Sequence, residues 1–425
     1  MKEMFQEKVL PKVMDFVTSR PVSAVKDGMI ATMSLTIIGS VFLLLGQLPY
    51  APLANWIAEI GLMSLFLQTY RAAFNILAMV AVFSIAYSYV KHAGYEPLGA
   101  GILSLVAYLA VIPHSVGETG GVLPMDYLGS RGMVAAIIMG LVAGKIYTIF
   151  MEKGIVIKMP AGVPQGVADA FTALIPGVFI VSGGFAIYSF FHVVLDTTFV
   201  DFIYTVVQTP LSGLTGSFWG VVAIGFLVPF LWWFGIHGNS VVGGVMSGIW
   251  LGNMTANQAL VDSGVELTIA NGGHIAATQF NALLITMTGS GITIGVVIAM
   301  LIGAKSKQFK ELGKLALGSA IFNINEPIIF GTPLVLNPFM LIPFVGVPVV
   351  VSIVSYLAMS TGLVPLFSGI NPPWTTPPII SGFIAGGWRM AVLQAVIIVI
   401  SVVGYYPFVM KLDKDNVAAE EAAAE

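Results

Sequence analysis

The chain has 425 residues, of which 57% are hydrophobic and only 9% are charged, and its mean hydropathy is +0.93. Soluble domains carry roughly 25% charged residues, so this composition excludes an ordinary soluble protein and indicates an integral membrane protein. The net charge of −3 supplies no basic field for nucleic acid, and the absence of cysteine excludes disulfides, thiolate metal sites and a cysteine nucleophile.

Along the chain, polar residues 1–28 come first and then long apolar runs. Segment 1–28 is too polar for a signal peptide, but its helical spacing of apolar residues predicts an amphipathic, cytoplasmic segment. Most of the later runs reach the roughly 20 residues that a helix needs to cross a bilayer. They cover residues 29–48, 72–90, 97–113, 133–150, 173–195, 218–235, 283–303, 338–363 and 388–410. The sequence therefore predicts an all-α polytopic membrane protein.

Lysine and arginine set the expected orientation, because positive charge near the ends of spans tends to stay cytoplasmic. These residues cluster before the first span, after the second and after the fourth, so the first four spans alternate from the inside. The cluster at 305–314 and the last lysines should also be cytoplasmic, which predicts that both termini are. Only three obvious apolar runs separate Lys158 from Lys305, so 236–303 must add a crossing or turn back.

The second half of the chain contains interrupted helices. Residues 236–303 are rich in glycine and polar side chains, and irregular backbone lies at membrane depth only where protein or a water-filled cavity satisfies it. We therefore predict a re-entrant or broken element there and a hairpin within 315–337. The predicted organisation has a transmembrane half at 29–210, a half at 211–411 with a transport site, and a solvated acidic tail at 412–425.

Glu326 is the sharpest candidate for a functional residue. It is the only charged residue between Lys314 and Arg389, and a charge at the centre of a membrane helix costs about 2.5–3.5 kcal/mol. We expect a dehydrated carboxylate that faces a cavity and handles substrate or protons. The alternative is a carboxylate that caps backbone N–H groups in a turn.

His237 is a second candidate, because no Asp, Glu, Lys or Arg lies between Asp201 and Asp262. Its glycine neighbours leave room for close approach, and a titratable imidazole suits hydroxyl binding or proton movement. The alternative is a packed histidine that bonds a carbonyl. For His274, in another glycine-rich loop, that structural role is the stronger interpretation.

Amide side chains near these sites suit a polyhydroxylated ligand, because each offers two donors and an acceptor. The candidates for substrate binding are Asn239, Gln279, Asn281, Asn323 and Asn325.

Aromatic and cationic side chains supply further candidates. Trp374, in a proline-rich loop, could stack on a sugar ring or belong to an interfacial belt, whereas Trp232 and Trp233 are interpreted as belt or packing residues. Arg71 and Asn75, at the start of the second span, could reach a ligand or anchor the helix. The sequence indicates no metal site and no cofactor, and it contains no nucleotide-binding glycine motif.

Three blocks carry a family resemblance: NINEPIIFGTPLVLNPFMLIPF at 323–344, WWFGIHG at 232–238 and NPPWTTPP at 371–378. They resemble the membrane IIC component of the bacterial phosphotransferase system (PTS), in the lactose and cellobiose (diacetylchitobiose) branch. The resemblance implies a homodimer in the bacterial inner (plasma) membrane, with about ten transmembrane helices and two re-entrant hairpins per chain. It also implies dimer contacts through the N-terminal half and a disaccharide in the C-terminal half.

The resemblance further implies roles for the candidate residues. Glu326 and His237 would contact the hydroxyl that is phosphorylated, Trp374 would stack on the sugar, and nearby amides would bind other hydroxyls. A soluble IIB partner would carry the phosphate on a cysteine. A carboxylate whose pKa is raised by desolvation could act as the base for that hydroxyl.

Two other functions remain open from the residues alone. A proton-coupled secondary sugar transporter would use Glu326 and His237 as a proton relay and need no phosphoryl donor. A passive channel is disfavoured, because ion channels usually carry rings of charge, whereas Glu326 is the single carboxylate between Lys314 and Arg389. The sequence leaves the disaccharide itself open among lactose, cellobiose and diacetylchitobiose.

Overall fold

The structure is a computed structural model that describes residues 15, 18–46, 51–117, 120–160, 162–235, 237–332, 334 and 337–422. The amphipathic segment predicted for residues 1–28 lies largely outside these residues. From residue 20 onward the chain is already helical, so the first long helix begins before the apolar run that starts at residue 29.

The first half of the chain forms helices and one small hairpin. In order these are α1 (Arg20–Gly46), α2 (Ala51–Glu59), α3 (Leu62–Phe74), α4 (Leu77–His92), α5 (Leu98–Ala110), β1 (Ser115–Gly117), β2 (Gly120–Val122), α6 (Met133–Glu152), α7 (Gln165–Thr172), α8 (Leu174–Val194) and α9 (Phe199–Gly216). The strands are antiparallel, with Val116 opposite Gly121. Helix α9 includes a π-helical turn at Tyr204–Gln208.

The second half contains shorter and broken helices. They are α10 (Phe218–Trp233), α11 (Gly238–Asp262), α12 (Ile294–Gly303), α13 (Lys307–Ile321), α14 (Glu326–Gly331), α15 (Pro338–Ser360) and α16 (Ile380–Ala422). A helical turn at Thr278–Phe280 continues into a π-helical turn at Asn281–Ile285.

Within the described residues, six helical segments are long and apolar enough to cross a membrane. They are α1, the combined segment Leu62–His92, α6, α8, α15 and α16. Helices α9 and α10 are bent by 75° relative to each other, and they add a seventh if the pair forms one span. The predicted all-α polytopic class is confirmed. The count of about ten transmembrane helices and two re-entrant hairpins stays a prediction.

The chain divides into two compact units, and the first comprises residues 1–42, 65–211 and 243–252. Its core contains side chains of α4, α5, α6 and α8 around the buried Tyr108. Helix α6 approaches α4 through Gly140 and Gly144, where an added Cβ would lie 2.9 Å from the Val82 carbonyl oxygen and 2.7 Å from Tyr89 Cβ. Small residues four apart allow backbones to pack this closely in membrane helices. The functional halves and the dimer contact predicted from the sequence stay predictions.

The second unit comprises residues 43–64, 212–242 and 253–425. Here α10 packs along α15, and α12 packs along α16. The chain is irregular between the π-helical turn and α12, where Thr288, Gly289, Gly291 and Ile292 all have positive φ. Buried hydrogen bonds satisfy this backbone, since Tyr405 donates to the Gly291 carbonyl at 2.7 Å and the Ser401 hydroxyl bonds the Ile292 carbonyl.

The interruption predicted for 236–303 is therefore confined to part of that range. Within the range predicted to include a re-entrant or broken element, residues 238–262 form the continuous helix α11 despite their glycine content. Gly248 explains one of the glycines, because an added Cβ there would overlap the Ile137 side chain. A glycine in a helix can serve close packing as well as a break, and the sequence pattern does not separate the two uses.

Candidate functional site

A cavity of about 300 Å³ lies within the second unit. This volume is at the lower end of the roughly 300–1,000 Å³ range typical of small-molecule sites. Segments that are far apart in the sequence supply its walls. The lining residues are Trp232, His237, Asn239, Asn281, Ala282, Thr286, Gly289, Ser290, Asn323, Asn325, Glu326 and Trp374.

A tight turn between α10 and α11 forms one wall of this cavity. Gly235 has a φ of +81°, and an added Cβ at Gly238 would overlap the Val228 carbonyl oxygen, so the turn depends on glycine at both positions. The turn brings the rings of Trp232 and His237 to a centroid distance of 4.6 Å. Asn239 follows in the first turn of α11 and completes this wall.

Asn323 joins three loops around the cavity. Its Nδ2 donates to the carbonyl oxygens of Trp374 at 2.6 Å and Thr376 at 2.9 Å, and its Oδ1 accepts from the Thr288 N–H at 2.7 Å. Its φ is +65°, a left-handed conformation that asparagine tolerates better than most residues. These bonds hold the Trp374 loop and the irregular segment 286–293 beside the Glu326 turn.

Asn325 makes a second connection to segment 286–293. Its Nδ2 donates to the Ser290 carbonyl at 2.7 Å and to Thr293 Oγ1 at 3.0 Å, and the side chain is buried. Its own carbonyl accepts the first hydrogen bonds of α14, from Ile328 and Ile329. The Asn323 and Asn325 amides are therefore largely occupied with backbone, and both residues position the site.

Glu326 begins α14, and Pro327 follows where a missing N–H costs no helical bond. The Glu326 side chain is exposed and lines the cavity. Among the described residues no hydrogen bond or ion pair engages its carboxylate, so the alternative role as a cap of backbone N–H groups does not apply. Protein atoms of the described chain do not bury the Glu326 side chain, and its dehydration and its role toward substrate or protons stay predictions.

Three buried polar atoms along the cavity lack partners among the described residues. They are Trp232 Nε1, Asn239 Oδ1 and Asn281 Oδ1. A buried polar atom without a hydrogen bond costs about 1–3 kcal/mol, so such atoms concentrate where a ligand supplies the partner. One donor beside two amide acceptors suits hydroxyl groups, because each hydroxyl both donates and accepts.

The remaining candidates lie elsewhere. Gln279 is fully buried and donates to the carbonyls of Ser368 and Ile370, and it does not line the cavity. Arg71 and Asn75 belong to the first unit and do not line it either. His274 is half-buried, and its backbone is held by Asn257. Within the described ranges no group of three or more His, Asp or Glu could hold a metal ion.

Sequence reasoning missed part of the cavity. Trp232 was assigned to a belt or to packing, but it lines the cavity and its buried Nε1 has no partner among the described residues, whereas the Trp233 N–H donates to the Asn337 carbonyl at 2.8 Å. Thr286, Gly289 and Ser290 also form a wall. The glycine-rich stretch TGSG at 288–291 indicated irregular backbone, but nothing in the sequence showed which of its side chains would line a ligand site.

Comparison with known proteins identifies the family. Residues 26–348 match the family described as Phosphotransferase system, EIIC. The chain belongs to this EIIC family. It is 40% identical to the lichenan permease IIC component of Bacillus subtilis (strain 168), over 98% of this chain and 95% of that protein. It is 39% identical to the PTS cellobiose-specific EIIC component of Geobacillus stearothermophilus, over 99% and 96% respectively.

A solved structure agrees with these relatives. The EIIC chain superposes with a TM-score of 0.91 on the crystal structure of the transporter ChbC, the IIC component from the N,N'-diacetylchitobiose-specific phosphotransferase system. The two are 37% identical, over 98% of this chain and 99% of that chain. The resemblance inferred from the sequence, the membrane location and the function as a PTS sugar permease are confirmed. The ligand contacts of individual residues stay predictions.

Proposed function

We propose that this EIIC chain binds a disaccharide of the cellobiose, diacetylchitobiose or lactose type in the cavity at Glu326 and presents one hydroxyl to phosphorylated IIB. The observation that carries the proposal is the unpaired Glu326 carboxylate in a cavity with three unpartnered polar atoms. The relatives named for cellobiose and diacetylchitobiose support the substrate class.

The residues divide into binding and chemical roles. Asn239, Asn281 and the Trp232 N–H bind sugar hydroxyls, and the Trp374 ring, 48% exposed, stacks on a sugar face. His237 binds or orients the reacting hydroxyl beside Trp232. Asn323 and Asn325 hold the loops that carry these groups.

Glu326 acts as the general base. Its carboxylate accepts the proton of a sugar hydroxyl at about 2.6–3.2 Å while that oxygen attacks the phosphorus of a phosphocysteine on IIB. A new O–P bond forms, the S–P bond breaks, and the thiolate leaves with the electron pair. Phosphoryl transfer otherwise depends on alignment, which the cavity walls supply. The charged product cannot leave through the apolar bilayer, so uptake becomes one-way.

The test compares Glu326→Gln with Glu311→Gln, which alters an exposed carboxylate of α13 that pairs with Lys314 outside the cavity. In vesicles with phosphorylated IIB inside, Glu326→Gln should abolish phosphorylation-coupled uptake and retain disaccharide binding, while Glu311→Gln keeps both. Near-normal coupled uptake by Glu326→Gln would defeat the assignment of the base. Wild-type uptake that follows a proton gradient and ignores phosphorylated IIB would establish the proton-coupled transporter instead.

The homodimer and the cytoplasmic termini belong to the same proposal. The lysines before α1, the Arg20 and Lys26 side chains at its start and the lysines around α13 support the orientation, since positive charge stays inside. Membrane-impermeant labelling of a cysteine introduced at residue 422, in a chain that otherwise has none, reports the side of the C-terminus.

A further inference from the structure

An apolar groove of about 450 Å³ lies in the second unit between α15 and α16. Every residue that lines it is apolar, and several are widely exposed, including Ile342 at 63% and Val403 at 67%. The groove lies apart from the sugar cavity and shares no lining residue with it. Since α15 and α16 are both candidate membrane spans, lipid can reach this surface.

Two glycines shape the groove. Gly404 on α16 lets the helices approach, because an added Cβ there would lie 2.5 Å from a methyl group of Val347 on α15. Gly346, the chain neighbour of Val347 on α15, would place a Cβ in open space. The two helices therefore touch at Gly404 and leave a shallow, open slot at Gly346.

One end of the groove is basic. Phe408 lines that end and packs against Phe339 with a ring distance of 4.9 Å, and the Lys411 ammonium lies 5.4 Å from the Phe339 ring centroid. Lys411 follows Phe408 by three residues, so both side chains lie on one face of α16. Aromatic rings and lysines at the end of an apolar span are typical of the membrane interface.

Lys411 is available to an anionic ligand. Within the described part of the chain no carboxylate forms an ion pair with it. The nearby Asp413 is 3% exposed and is occupied by the N–H groups of Lys305 and Ser306 and the Ser306 hydroxyl. Asp415, four residues after Lys411, is exposed, and it weakens but does not neutralise the positive charge at this end of the groove.

We propose that this groove is a binding site for one anionic phospholipid, with an acyl chain along Gly346 and Gly404 and the phosphate group at Lys411. An apolar slot that ends in an unpaired cation matches an amphiphile with a negative head. A second polypeptide helix would fill the slot but would leave the ammonium without a counter-charge. Basic residues at the ends of spans bind acidic head groups in this way.

The experiment is native mass spectrometry of the purified, delipidated full chain, titrated with phosphatidylglycerol or phosphatidylcholine. The wild type should retain one phosphatidylglycerol at least fivefold more tightly than phosphatidylcholine. Lys411→Gln should lower the phosphatidylglycerol affinity about fivefold, as expected for one lysine near a lipid surface, and leave phosphatidylcholine unchanged. Gly346→Phe, which fills the open slot, should lower both affinities about tenfold or more.

Two control variants match these changes. Lys414→Gln removes the next lysine of the same helix, and Gly183→Phe adds a ring at a glycine of α8 whose Cβ also meets open space. For both variants, the affinities for phosphatidylglycerol and phosphatidylcholine should stay within twofold of the wild-type values. Circular dichroism verifies the folding of each variant, and Lys411→Gln decides alone if Gly346→Phe does not fold.

The opposite results are equally specific. Equal wild-type affinities for the two lipids would mean that the groove holds ordinary boundary lipid. An effect of Lys414→Gln as large as that of Lys411→Gln would mean unspecific surface charge. A change of oligomeric state in Gly346→Phe, without a change in lipid binding, would assign the groove to a second copy of the chain.

Discussion

Replacement of Asn323 tests how the cavity at Glu326 is held together. Asn323→Asp keeps the left-handed φ and the Oδ1 that accepts from Thr288, but it removes the two N–H groups that bond Trp374 and Thr376. In the wild type, Asn323 Nδ2 lies 2.6 Å from the Trp374 carbonyl oxygen and 2.9 Å from the Thr376 carbonyl oxygen. In the variant, a carboxylate oxygen replaces this nitrogen and repels both carbonyl oxygens. The Trp374 loop should therefore separate from the Glu326 turn.

The expected magnitude follows from the bonds that are lost. Two hydrogen bonds contribute about 1–3 kcal/mol together, and the repulsion between the oxygens adds to that figure. Because ordering of the loop is part of forming the cavity, a loss of this size weakens disaccharide binding by about 5–150-fold. Asn323→Gly is the matched control, since it tolerates the positive φ and loses all three bonds without adding charge.

Isothermal titration of the purified chain measures this effect, with whichever of cellobiose, diacetylchitobiose and lactose binds the wild type most tightly. Thermal unfolding of the same samples separates a local effect on the loop from a global loss of stability. We expect both variants to bind more weakly, with Asn323→Asp at least as weak as Asn323→Gly. Binding by both within twofold of the wild type would refute the role of Asn323 as the residue that positions the loops.

Three further changes test other parts of the structure. Trp374→Ala should weaken disaccharide binding about tenfold in the same titration because the stacking face is lost, whereas Trp374→Phe should stay within about threefold, and equal effects would contradict stacking. Gly144→Leu should lower the free energy of unfolding of the first unit by about 1–3 kcal/mol or more, because its Cβ would press on Tyr89. Gly183→Leu, whose side chain meets open space, serves as the control in the same thermal unfolding experiment. Asp413→Ala should destabilise the chain by about 2–4 kcal/mol, since three hydrogen bonds to a buried carboxylate are lost. Glu420→Gln, which alters a carboxylate of α16 that accepts from the Lys307 and Gln308 N–H groups at the start of α13, should have a much smaller effect on the melting temperature, and the reverse order would contradict this role for Asp413.

The second half of the chain shows why composition and local pattern predict some features and not others. The structure places on one cavity several candidates that were chosen for different reasons. Glu326 is a costly charge in apolar surroundings, His237 a titratable imidazole and Trp374 a face for stacking. Asn239 and Asn281 were chosen as amides that suit a polyhydroxylated ligand. Gln279 met the same criterion, yet its amide bonds the backbone at Ser368 and Ile370. A sequence indicates that a buried amide needs a partner but does not indicate whether the partner is a ligand or a distant carbonyl.

Glycine shows the same division. In the stretch 287–291 it accompanies irregular backbone with positive φ, whereas in 238–262 it lies within a continuous helix. Both stretches look alike along the sequence, because a missing side chain serves a turn and a close helix contact equally well. Only the neighbouring helix distinguishes them.

The sequence by itself determined the class of the protein, since its apolar runs must lie in lipid and must satisfy their backbone as helices. It also determined the family, through the motifs around Glu326, His237 and Trp374. The tertiary structure decided that Glu326 is exposed at a cavity, that Asn323 and Asn325 hold loops, and that Trp232 lines the same cavity. The bonds of Asn323 and Asn325 join residues 32 to 53 positions apart, and no local pattern encodes such pairings.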